Sequence, residues 1–469
     1  MSADGLREAQ RRWGARSVEE RLKVVRAARY AMAARCEELA DAISPRLART
    51  KADTLGAEVM PLLDACKFLE REAERILATR RLGLKGRPVW LSGVWAEVHR
   101  EPLGHVVVIG PSNFPLLLAG SQTMQALVAG NAVTWKPGAG AGAVAELVAS
   151  ILSEAGLPRG VLRVTGESVA AGEEALSAGA DKVVFTGSAA SGRAVARRLA
   201  EMATPAVMEL SGADAVVVLP SADLKRVAKA VAFGLGLNGG EVCMSPRRLF
   251  ATAATMAKLR PLLMEELVKI PAVKLSARTA GQLQELVSAA MVEGAVVRGE
   301  VEAGAQRALV VDGANASMAI ACSDVFAPVV SLIEVSSMMH VAEAHAHCAY
   351  GLAASVFGEE REARAMAAGL RVGSVTINDI IAPTADARVP FGGRGASGYG
   401  VTRGAEGLLE MTAIKVVMVR RGRMMWHLDK TTEADTAMFA EMIRVVHGQT
   451  VSGRLGGVWR LIAAVRRRG

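Results

Sequence analysis

Short apolar runs alternate with segments of helical spacing from His105 onward, and this alternation constrains the fold more than any other feature. The apolar runs are residues 106–109, 132–135 and 182–185, followed by a second series at 215–219, 355–357 and 374–377. Strands that alternate with helices form parallel sheets covered on both faces, with a ligand crevice at the carboxyl ends of the strands. The sequence therefore predicts an α/β protein with two lobes and a functional site between them.

The length of the chain also favours more than one lobe. A single hydrophobic core stops growing near about 250–300 residues, and this chain has 469 residues. Its content of 51% hydrophobic and 22% charged residues is that of a globular protein. Residues 17–82 carry helical patterns rich in Ala, Arg, Glu and Leu, and we expect them to form scaffold helices, the first capped by Ser17.

The cysteines and the amino terminus bear on the cellular compartment. The five cysteines are widely spaced and include no Cys-x-x-Cys pair, so they predict neither a disulfide framework nor a bound metal. A reducing cytoplasm is the simplest location for such a chain. The first residues lack the apolar core of a signal peptide, and no run of about 18 apolar residues occurs. We therefore expect a protein that neither spans a membrane nor is secreted.

The carboxyl-terminal tail, residues 421–469, is basic and amphipathic. From Val416 to Gly469 ten Lys and Arg stand against four Asp and Glu, so most of the net charge of +9 lies there. This confinement argues against nucleic acid as a partner. Within residues 454–468 apolar side chains recur at helical spacing beside arginines. Such a helix would lie on the anionic inner face of a membrane, pack on protein, or remain a solvated tail, and the three interpretations stay open.

A short segment before the α/β region is expected to form an arm. Residues 89–91 and 94–97 are apolar in an alternating pattern, and Ser92 and Gly93 lie between them. This arrangement predicts two strands joined by a tight turn.

One cysteine follows a turn that suits a reactive thiol. The turn, residues 238–240, is Asn-Gly-Gly and precedes Cys243, while Glu209 lies upstream between apolar residues and Asn113 lies near two prolines. A thiol, a carboxylate and an amide donor are the groups needed for covalent attack on a carbonyl. Taken singly, each has an ordinary structural interpretation as a buried thiol, a solvated glutamate and a turn asparagine.

The order of the motifs along the chain is more specific than any one of them. From about residue 100 to about residue 417 the motifs are GPSNFP at 110–115, AGNAV at 129–133 with KP at 136–137, FTGS at 185–188, ELSG at 209–212, GEVC at 240–243, FAPV at 326–329, YGLA at 350–353, and PFGG at 390–393 with SG at 397–398. In this order they resemble the aldehyde dehydrogenase superfamily, and the compact amino-terminal region is similar to its short, class 3 branch.

The resemblance implies a fold with a Rossmann-type cofactor domain, an α/β catalytic domain and a β oligomerisation arm. The implied boundaries are 1–84 and 104–209 for the NAD(P)-binding domain, 85–103 and 401–420 for the arm, and 210–400 for the catalytic domain, followed by the tail at 421–469. An arm of this kind pairs subunits, so we expect a homodimer or a homotetramer.

The resemblance also implies the chemistry. Cys243 would attack an aldehyde carbon, and the Asn113 amide and the Cys243 main-chain N–H would stabilise the oxyanion of the thiohemiacetal. Loss of hydride to the nicotinamide would leave a thioester, and Glu209 would activate the water that releases the carboxylic acid. The class 3 branch often takes apolar aldehydes of medium or long chain, or aromatic ones, and we expect such a substrate here.

Two other functions remain open at this point. A CoA-acylating relative would intercept the thioester with a thiol, and the retained Glu209 argues against it. A catalytically quiet, membrane-associated scaffold would keep the fold alone, and the intact set of Asn113, Glu209 and Cys243 argues against that. Glu241 stands where glutamine is usual in the family, and we expect its charge to point away from the thiol.

By resemblance the cofactor is NAD or NADP. Lys136 matches the lysine that holds the adenine ribose, but Ala139 stands where the family has a glutamate. We therefore expect NADP to be tolerated, either as the preferred cofactor or through relaxed selectivity. The glycine run at 138–143 superficially fits a dinucleotide fingerprint, but the acidic residue required about 20 positions later is not evident, because Glu154 falls in a helical segment.

Two further segments are expected to contact the cofactor. Ser188 matches the pyrophosphate-binding serine of the family and, with Gly187, lies where a strand ends and a helix begins. Free amide groups and the helix dipole favour phosphate at such a place. Asp324 replaces the glutamate that binds the nicotinamide ribose, two residues before Phe326. Its shorter side chain is expected to reach the ribose through water or to hold it differently.

Overall fold

The computed structural model describes residues 3–43, 47, 49–421 and 425–468. The helices are α1 (Ala3–Gly14), α2 (Val18–Ala34), α3 (Cys36–Asp41), α4 (Lys51–Thr54), α5 (Met60–Leu77), α6 (Leu117–Val128), α7 (Gly142–Glu154), α8 (Val169–Ser177), α9 (Ala189–Glu201), α10 (Leu224–Gly236), α11 (Ala253–Leu267), α12 (Ala277–Val292), α13 (Val341–Ala346), α14 (Glu360–Gly369), α15 (Gly404–Glu410), α16 (Glu433–His447) and α17 (Val451–Arg468). Ser17 caps α2 in a reciprocal capping box with Glu20, as the sequence predicts.

The strands form two large sheets and two small ones. They are β1 (Arg80–Leu82), β2 (Val94–Pro102), β3 (His105–Ile109), β4 (Ala132–Lys136), β5 (Leu162–Val164), β6 (Lys182–Gly187), β7 (Ala206–Leu210), β8 (Asp214–Val218), β9 (Pro246–Thr252), β10 (Val296–Arg298), β11 (Leu309–Ala314), β12 (Val329–Val335), β13 (Tyr350–Gly351), β14 (Ala353–Phe357), β15 (Ser374–Ile377), β16 (Arg394–Gly395), β17 (Gly398–Tyr399) and β18 (Thr412–Arg420). The alternation of strands and helices confirms the predicted α/β class.

The first large sheet has the strand order β17-β7-β6-β3-β4-β5. All its strands are parallel except β17, which runs antiparallel to β7 and pairs Gly398 with Glu209. The central strands are buried Val-rich runs, which suits strands covered on both faces. β17 lies on the edge of the sheet, and the loop that follows it brings Thr402 within hydrogen-bond distance of Glu209 at the end of β7.

The second large sheet has the strand order β10-β11-β12-β9-β8-β14-β15. Only β10 is antiparallel within it, and β8, β9, β12 and β14 form its buried centre. The chain leaves the first sheet at the end of β7 and enters the second sheet at β8, with only residues 211–213 between them. The carboxyl end of β7 is therefore a natural place for a site shared by both sheets.

Two compact units are distinguished within the chain. The first contains residues 1–80 and 98–416, and the second contains residues 81–97 and 417–469. A three-stranded sheet has the order β1-β2-β18. In the second unit α16 and α17 pack side by side, and Arg460 Nε donates to Glu441 Oε2 at 3.0 Å. Among the helices that the structure describes, none combines the length and the apolar content needed to cross a bilayer.

One predicted strand of the arm is wrong. Val89–Leu91 forms a turn of 3₁₀ helix, in which the N–H of Leu91 bonds the carbonyl of Pro88 at 3.0 Å. The N–H of Ser92 bonds the carbonyl of Val89 at 3.0 Å, so local bonds replace a strand ladder. Proline favours the start of such a turn because its ring fixes φ. A strand begins only at Val94, after Gly93, whose φ of 82° closes the turn.

Candidate active site

The loop before Cys243 is held in a left-handed conformation that few residues tolerate. Asn238, Gly239 and Gly240 have φ values of 49°, 64° and 81°. A side chain at Gly240 would place its Cβ 2.8 Å from the main chain of Ala327, so only glycine fits. The glycine-rich turn predicted from the sequence is therefore required by both conformation and close approach, and it fixes the main chain that leads to Cys243.

Asn113 is tied directly to this loop. Its Nδ2 donates to the carbonyl of Glu241 at 2.9 Å, and its Oδ1 accepts from the N–H of Phe114 at 3.0 Å. Asn238 Nδ2 in turn donates to the carbonyl of Asn113 at 3.2 Å. The two loops are thus hydrogen-bonded to each other, and the Asn113 amide is bonded to the residue two positions before Cys243.

Glu209 lies at the end of β7 in a nearly closed environment, with 2% of its surface exposed. Its Oε2 accepts from Gln122 Nε2 at 3.3 Å and from Thr402 Oγ1 at 3.2 Å. Its Oε1 is buried and has no hydrogen-bond partner among the described residues. Burial raises the pKa of Glu209, and the positive charge of Arg403 acts in the opposite direction. One carboxylate oxygen is therefore anchored, and the other is available to a water molecule.

Arg403 is a buried cation beside these groups that the sequence analysis missed. It is 7% exposed, its Nη1 donates to the carbonyl of Thr384, and its guanidinium lies 4.6 Å from the ring centre of Phe391. Its backbone has φ 60° and ψ 176°, a region that almost only glycine occupies. The N–H of Arg403 bonds Gln125 Oε1 at 3.2 Å. The surroundings thus hold this residue in a strained conformation at the site.

The Cys243 thiol lies in an environment that disfavours its ionised form. Burial raises the pKa of Cys243 well above the ordinary value, and the carboxylates of Glu209 and Asp214 add to the rise. Arg403 is the side chain whose charge lowers the pKa of this thiol. Glu241, by contrast, lines a cavity of about 590 Å³ whose lining does not include Cys243. The expectation that its charge points away from the thiol agrees with this placement.

Two cavities meet at Cys243 and Glu209. One, of about 430 Å³, is the cleft toward the first sheet and includes Asn113 and Ser188. The other, of about 560 Å³, has a mainly apolar lining that includes Arg403. Leu118, Glu209 and Cys243 line both cavities. The thiol and the carboxylate can therefore contact two molecules at once, one in each cavity.

The 430 Å³ cleft has the features that a nicotinamide dinucleotide requires. Ser188 caps α9, and its Oγ accepts from the N–H of Ser191 at 3.2 Å. The amino terminus of α9 and Gly187 line the cleft, and Arg193 adds a cation there, so a pyrophosphate would meet amide groups and a positive charge. Sequence analysis did not identify Arg193, whose place one turn after Ser188 was the available signal.

Asp324 and Phe326 line the opposite side of the same cleft. Burial raises the pKa of Tyr350 to about 12, and the nearby Asp324 carboxylate adds to the rise. The tyrosine therefore remains protonated at neutral pH. The sequence analysis did not assign a role to Tyr350.

Lys136 and Ala139 lie outside the lining of this cleft, at and after the end of β4. Gly138 packs so closely on the main chain of Pro111 that a Cβ there would collide with it. Glu167, which follows β5, accepts from the N–H groups of Gly140 and Gly142 at 2.7 Å each. These bonds lower the pKa of Glu167. A carboxylate therefore already caps the amino terminus of α7.

The sequence analysis did not assign a role to Glu167. Glu154 lies in α7, whereas the next strand, β5, ends at Val164. The position of Glu167 as the first acidic residue after that strand was the available signal. Glu167 and Lys136 interact electrostatically, and burial lowers the pKa of Lys136 while Glu167 raises it.

Comparisons with known proteins cover most of the chain. The sequence profile of the aldehyde dehydrogenase family matches residues 3–417. The 4,4'-diapolycopene aldehyde oxidase of Methylomonas sp is 30% identical over 430 residues, covering 89% of this chain and 81% of that protein. The vanillin dehydrogenase of Pseudomonas fluorescens is 31% identical over 357 residues, covering 71% of this chain and 73% of that protein.

Solved structures are similar over the same extent. The Mycobacterium tuberculosis aldehyde dehydrogenase complexed with NAD+ has a TM-score of 0.82 at 26% identity and covers 90% of this chain and 90% of its own. The NADP-dependent glyceraldehyde-3-phosphate dehydrogenase of Bacillus halodurans, complexed with NADP, has a TM-score of 0.80 at 28% identity, covering 89% of this chain and 90% of that chain.

Proposed function

This chain belongs to the aldehyde dehydrogenase family and is an NAD(P)-dependent oxidoreductase, and from this premise we propose that it oxidises an apolar aldehyde, of medium or long chain or aromatic, to the carboxylic acid. The observation that carries the proposal is the position of Cys243 and Glu209 in the wall between two cavities. The cleft is suited to the cofactor, and the mainly apolar cavity is suited to the aldehyde.

Cys243 is the proposed nucleophile. Its sulfur adds to the aldehyde carbon, and the carbonyl oxygen becomes the oxyanion of a thiohemiacetal. The Asn113 amide and the Cys243 N–H are the proposed donors to that oxyanion. One N–H of Asn113 is used by the Glu241 carbonyl, and the amide carries a second. Because the burial of the thiol disfavours the thiolate, the sulfur must lose its proton as it attacks, and the ionised Glu209 is placed to accept it.

The second half of the reaction requires a base and water. When bound, the nicotinamide supplies the hydride acceptor, so that the oxidised carbon remains on sulfur as a thioester. Glu209 first releases the thiol proton to solvent and is then ionised again. It removes a proton from water, the hydroxyl adds to the thioester carbon, and the C–S bond breaks to release the acid, while the departing sulfur takes a proton from Glu209. The unpartnered Oε1 of Glu209 supports this role, because the base needs one oxygen free for water.

The proposed cofactor contacts fall into two groups. Ser188 and Gly187 at α9, with Asp324 and Phe326 across the cleft, would hold the pyrophosphate and the nicotinamide ribose. Their shared position in one cleft supports these roles. Lys136 and Ala139, near the Glu167 carboxylate, would contact the adenine ribose. NAD and NADP are both cofactors of similar solved enzymes.

The substrate class is supported by the lining of the second cavity. Phe114, Leu117, Phe233 and Phe391 contribute to its wall, and its volume of about 560 Å³ accommodates a drug-sized ligand. Two similar proteins carry the names 4,4'-diapolycopene aldehyde oxidase and vanillin dehydrogenase, which denote a long apolar aldehyde and an aromatic one. These names accord with the proposed class.

The proposal is tested by cofactor reduction in the absence of CoA. Short, aromatic and long-chain aldehydes are compared with NAD and with NADP. We expect turnover with apolar aldehydes that Cys243→Ala abolishes and Cys36→Ala, at a thiol outside the two cavities, retains. Turnover that appears only when CoA is added would favour the acylating alternative. Absence of turnover with every pair would favour the scaffold.

We further propose a homodimer or homotetramer assembled through β18. This strand lies at the edge of the three-stranded sheet, and Ile414, Val416 and Met418 on it are exposed. An exposed apolar edge strand is a ready surface for pairing with another chain. The mass of the particle in solution tests this proposal, and the mass of a monomer would contradict it.

We propose that the tail, through α17, makes peripheral contact with the anionic inner face of a membrane from the cytoplasm. Leu455, Val458, Trp459 and Ile462 are exposed along the helix, and Arg466 adds an exposed cation at its end. Apolar side chains flanked by cations fit a lipid surface rather than an acidic partner, which would need no apolar stripe. Such contact would bring the enzyme to apolar aldehydes dissolved in lipid.

A further inference from the structure

We propose that Arg403 is a positioning residue that serves as the common counter-ion of Glu209 and Cys243, keeping the carboxylate ionised and favouring the reactive form of the sulfur. This inference rests on the roles proposed above for those two residues. It concerns a residue that lies beside the reacting groups and acts on them by its charge.

The geometry of Arg403 leaves it little freedom. The pairing of β17 with β7 carries the following loop past Glu209, where Thr402 Oγ1 donates to the carboxylate at 3.2 Å. Arg403 is the next residue, so a hydroxyl anchor and a cation come from adjacent positions. The contact with Phe391 and the bond to the Thr384 carbonyl fix the guanidinium in the wall of the cavity that Glu209 and Cys243 also line.

Part of the guanidinium has no fixed partner. Among the described residues, Arg403 Nε is buried and makes no hydrogen bond. Leaving a buried donor of a charged group unpaired is unfavourable, and the backbone of Arg403 is strained as well. A residue that served only to link two loops would need neither feature. A charge that must act on neighbouring groups accounts for both.

Among the residues that the structure describes, Arg403 is the cation whose charge acts on both reacting groups. Glu209 and Asp214 act against ionisation of Cys243, and Arg403 favours it. Glu209 itself is influenced by Arg403, and Arg403 is influenced by Glu209, Cys243 and Asp386. Asp386 is bonded to Arg388 at the surface, which reduces its pull on Arg403. Among the charged groups that act on these two residues, Arg403 therefore stands alone in favouring ionisation of both.

A fixed counter-ion would stabilise negative charge at several stages of the reaction. Negative charge lies on the carboxylate at rest, passes to the carbonyl oxygen during attack, and lies on the carboxylate again once its proton has been released and it activates water. In a cavity of low polarity an unpaired charge is costly. One fixed cation near both groups reduces that cost without moving. It also leaves the ion pair nearly neutral overall, so an apolar aldehyde encounters little net charge.

The experiment measures the pH dependence of Cys243 alkylation by iodoacetamide, read by mass spectrometry, beside the pH dependence of kcat. Arg403→Gln retains a donor for the Thr384 carbonyl, Arg403→Met retains packing on Phe391, and Arg403→Lys retains the charge. Both neutral variants should shift the rising limbs of alkylation and of kcat to higher pH. A shift of one pH unit lowers alkylation at neutral pH roughly tenfold. Arg403→Lys should restore both limbs in large part.

A matched control separates charge from structure. Arg21 is also buried, and the groups it donates to among the described residues are main-chain carbonyls outside the two cavities that Cys243 lines. Arg21→Gln should lower stability and leave both pH limbs where they are. Thermal unfolding and near-ultraviolet circular dichroism identify which variants are folded. If either folded neutral variant keeps the wild-type alkylation and kcat limbs, the inference is overturned.

Alkylation needs no aldehyde and no cofactor, so the two proposals can fail separately. A shifted alkylation limb without any aldehyde turnover would support the role of Arg403 and overturn the proposed function. Normal turnover with unshifted limbs would support the proposed function and overturn the role of Arg403.

Discussion

The side-chain nitrogen of Asn113 lies 2.9 Å from the carbonyl oxygen of Glu241, two residues before Cys243. This bond places an amide donor beside the thiol before any substrate arrives. We expect Asn113→Ala to lower kcat by about 10²–10³-fold, the usual loss when one oxyanion donor is removed. Steady-state kinetics with the best aldehyde measure this. An effect confined to KM would contradict the role, because an oxyanion donor acts in the transition state.

Glu209→Gln is expected to remove activity and to stabilise the fold at alkaline pH. Because burial raises the pKa of Glu209, protonation of this group is more favourable in the folded state than in the unfolded chain. Stability from this group is therefore present at low pH and falls as pH rises through the raised pKa. A neutral amide avoids that loss. Thermal unfolding at several pH values should show a higher Tm for the variant at pH 8, with a gap that narrows on acidification.

The same raised pKa determines the pH dependence of turnover. Glu209 acts as a base only when ionised, so kcat of the wild-type enzyme should rise with pH through a value above that of an ordinary glutamate. Glu174→Gln, at an exposed carboxylate on α8, is the control and should change neither Tm nor the pH limb. A Glu209→Gln variant that turns over aldehyde at the wild-type rate would exclude Glu209 as the base.

Glu167→Gln is expected to change cofactor selection. Its carboxylate lies at the glycine loop and interacts with Lys136, so it would repel the 2'-phosphate of NADP. We expect the ratio of kcat/KM for NADP to that for NAD to rise roughly tenfold, equivalent to about 1.4 kcal/mol. Kinetics with both cofactors measure the ratio, and Glu174→Gln again serves as the control. An unchanged ratio would place Glu167 away from the bound ribose.

Replacement of one exposed aromatic residue tests the role of the tail. Trp459 is 76% exposed, so Trp459→Asp should not disturb the fold, while it removes an interfacial anchor and adds a negative charge. Binding to vesicles that contain anionic lipid should weaken roughly tenfold by co-sedimentation. Val292→Asp, at an apolar position on α12 that is 89% exposed, should bind as the wild type does. Equal binding of all three proteins would disprove the membrane contact.

The sequence predicts the elements that depend on local pattern. The strands predicted from His105 onward are runs of apolar residues with β-branched side chains, and they are buried except for β15, which is half-buried at the edge of its sheet. The left-handed turn before Cys243 is also local, since only its Asn and Gly residues tolerate positive φ. The strand expected at residues 89–91 fails for a local reason as well, because three residues after Pro88 can close a turn as readily as they can extend.

Arg403 could not be predicted because its environment is built by distant parts of the chain. In the sequence it is an arginine between threonine and glycine, which is typical of a solvated loop. It becomes buried only because β17 pairs with β7, an association across about 190 positions that no local pattern reports. Glu167 is an intermediate case, since a better placement of β5 would have identified it.

The wall shared by the cleft and the apolar cavity has a consequence for inhibition. In the proposed function each reactant reaches the thiol through its own cavity, and the linings of the two cavities share Leu118, Glu209 and Cys243. An inert apolar molecule that fills the aldehyde route should raise the KM of the aldehyde and leave that of the cofactor unchanged. Such a molecule would inhibit the oxidation of bulky aldehydes while the cofactor still binds and dissociates.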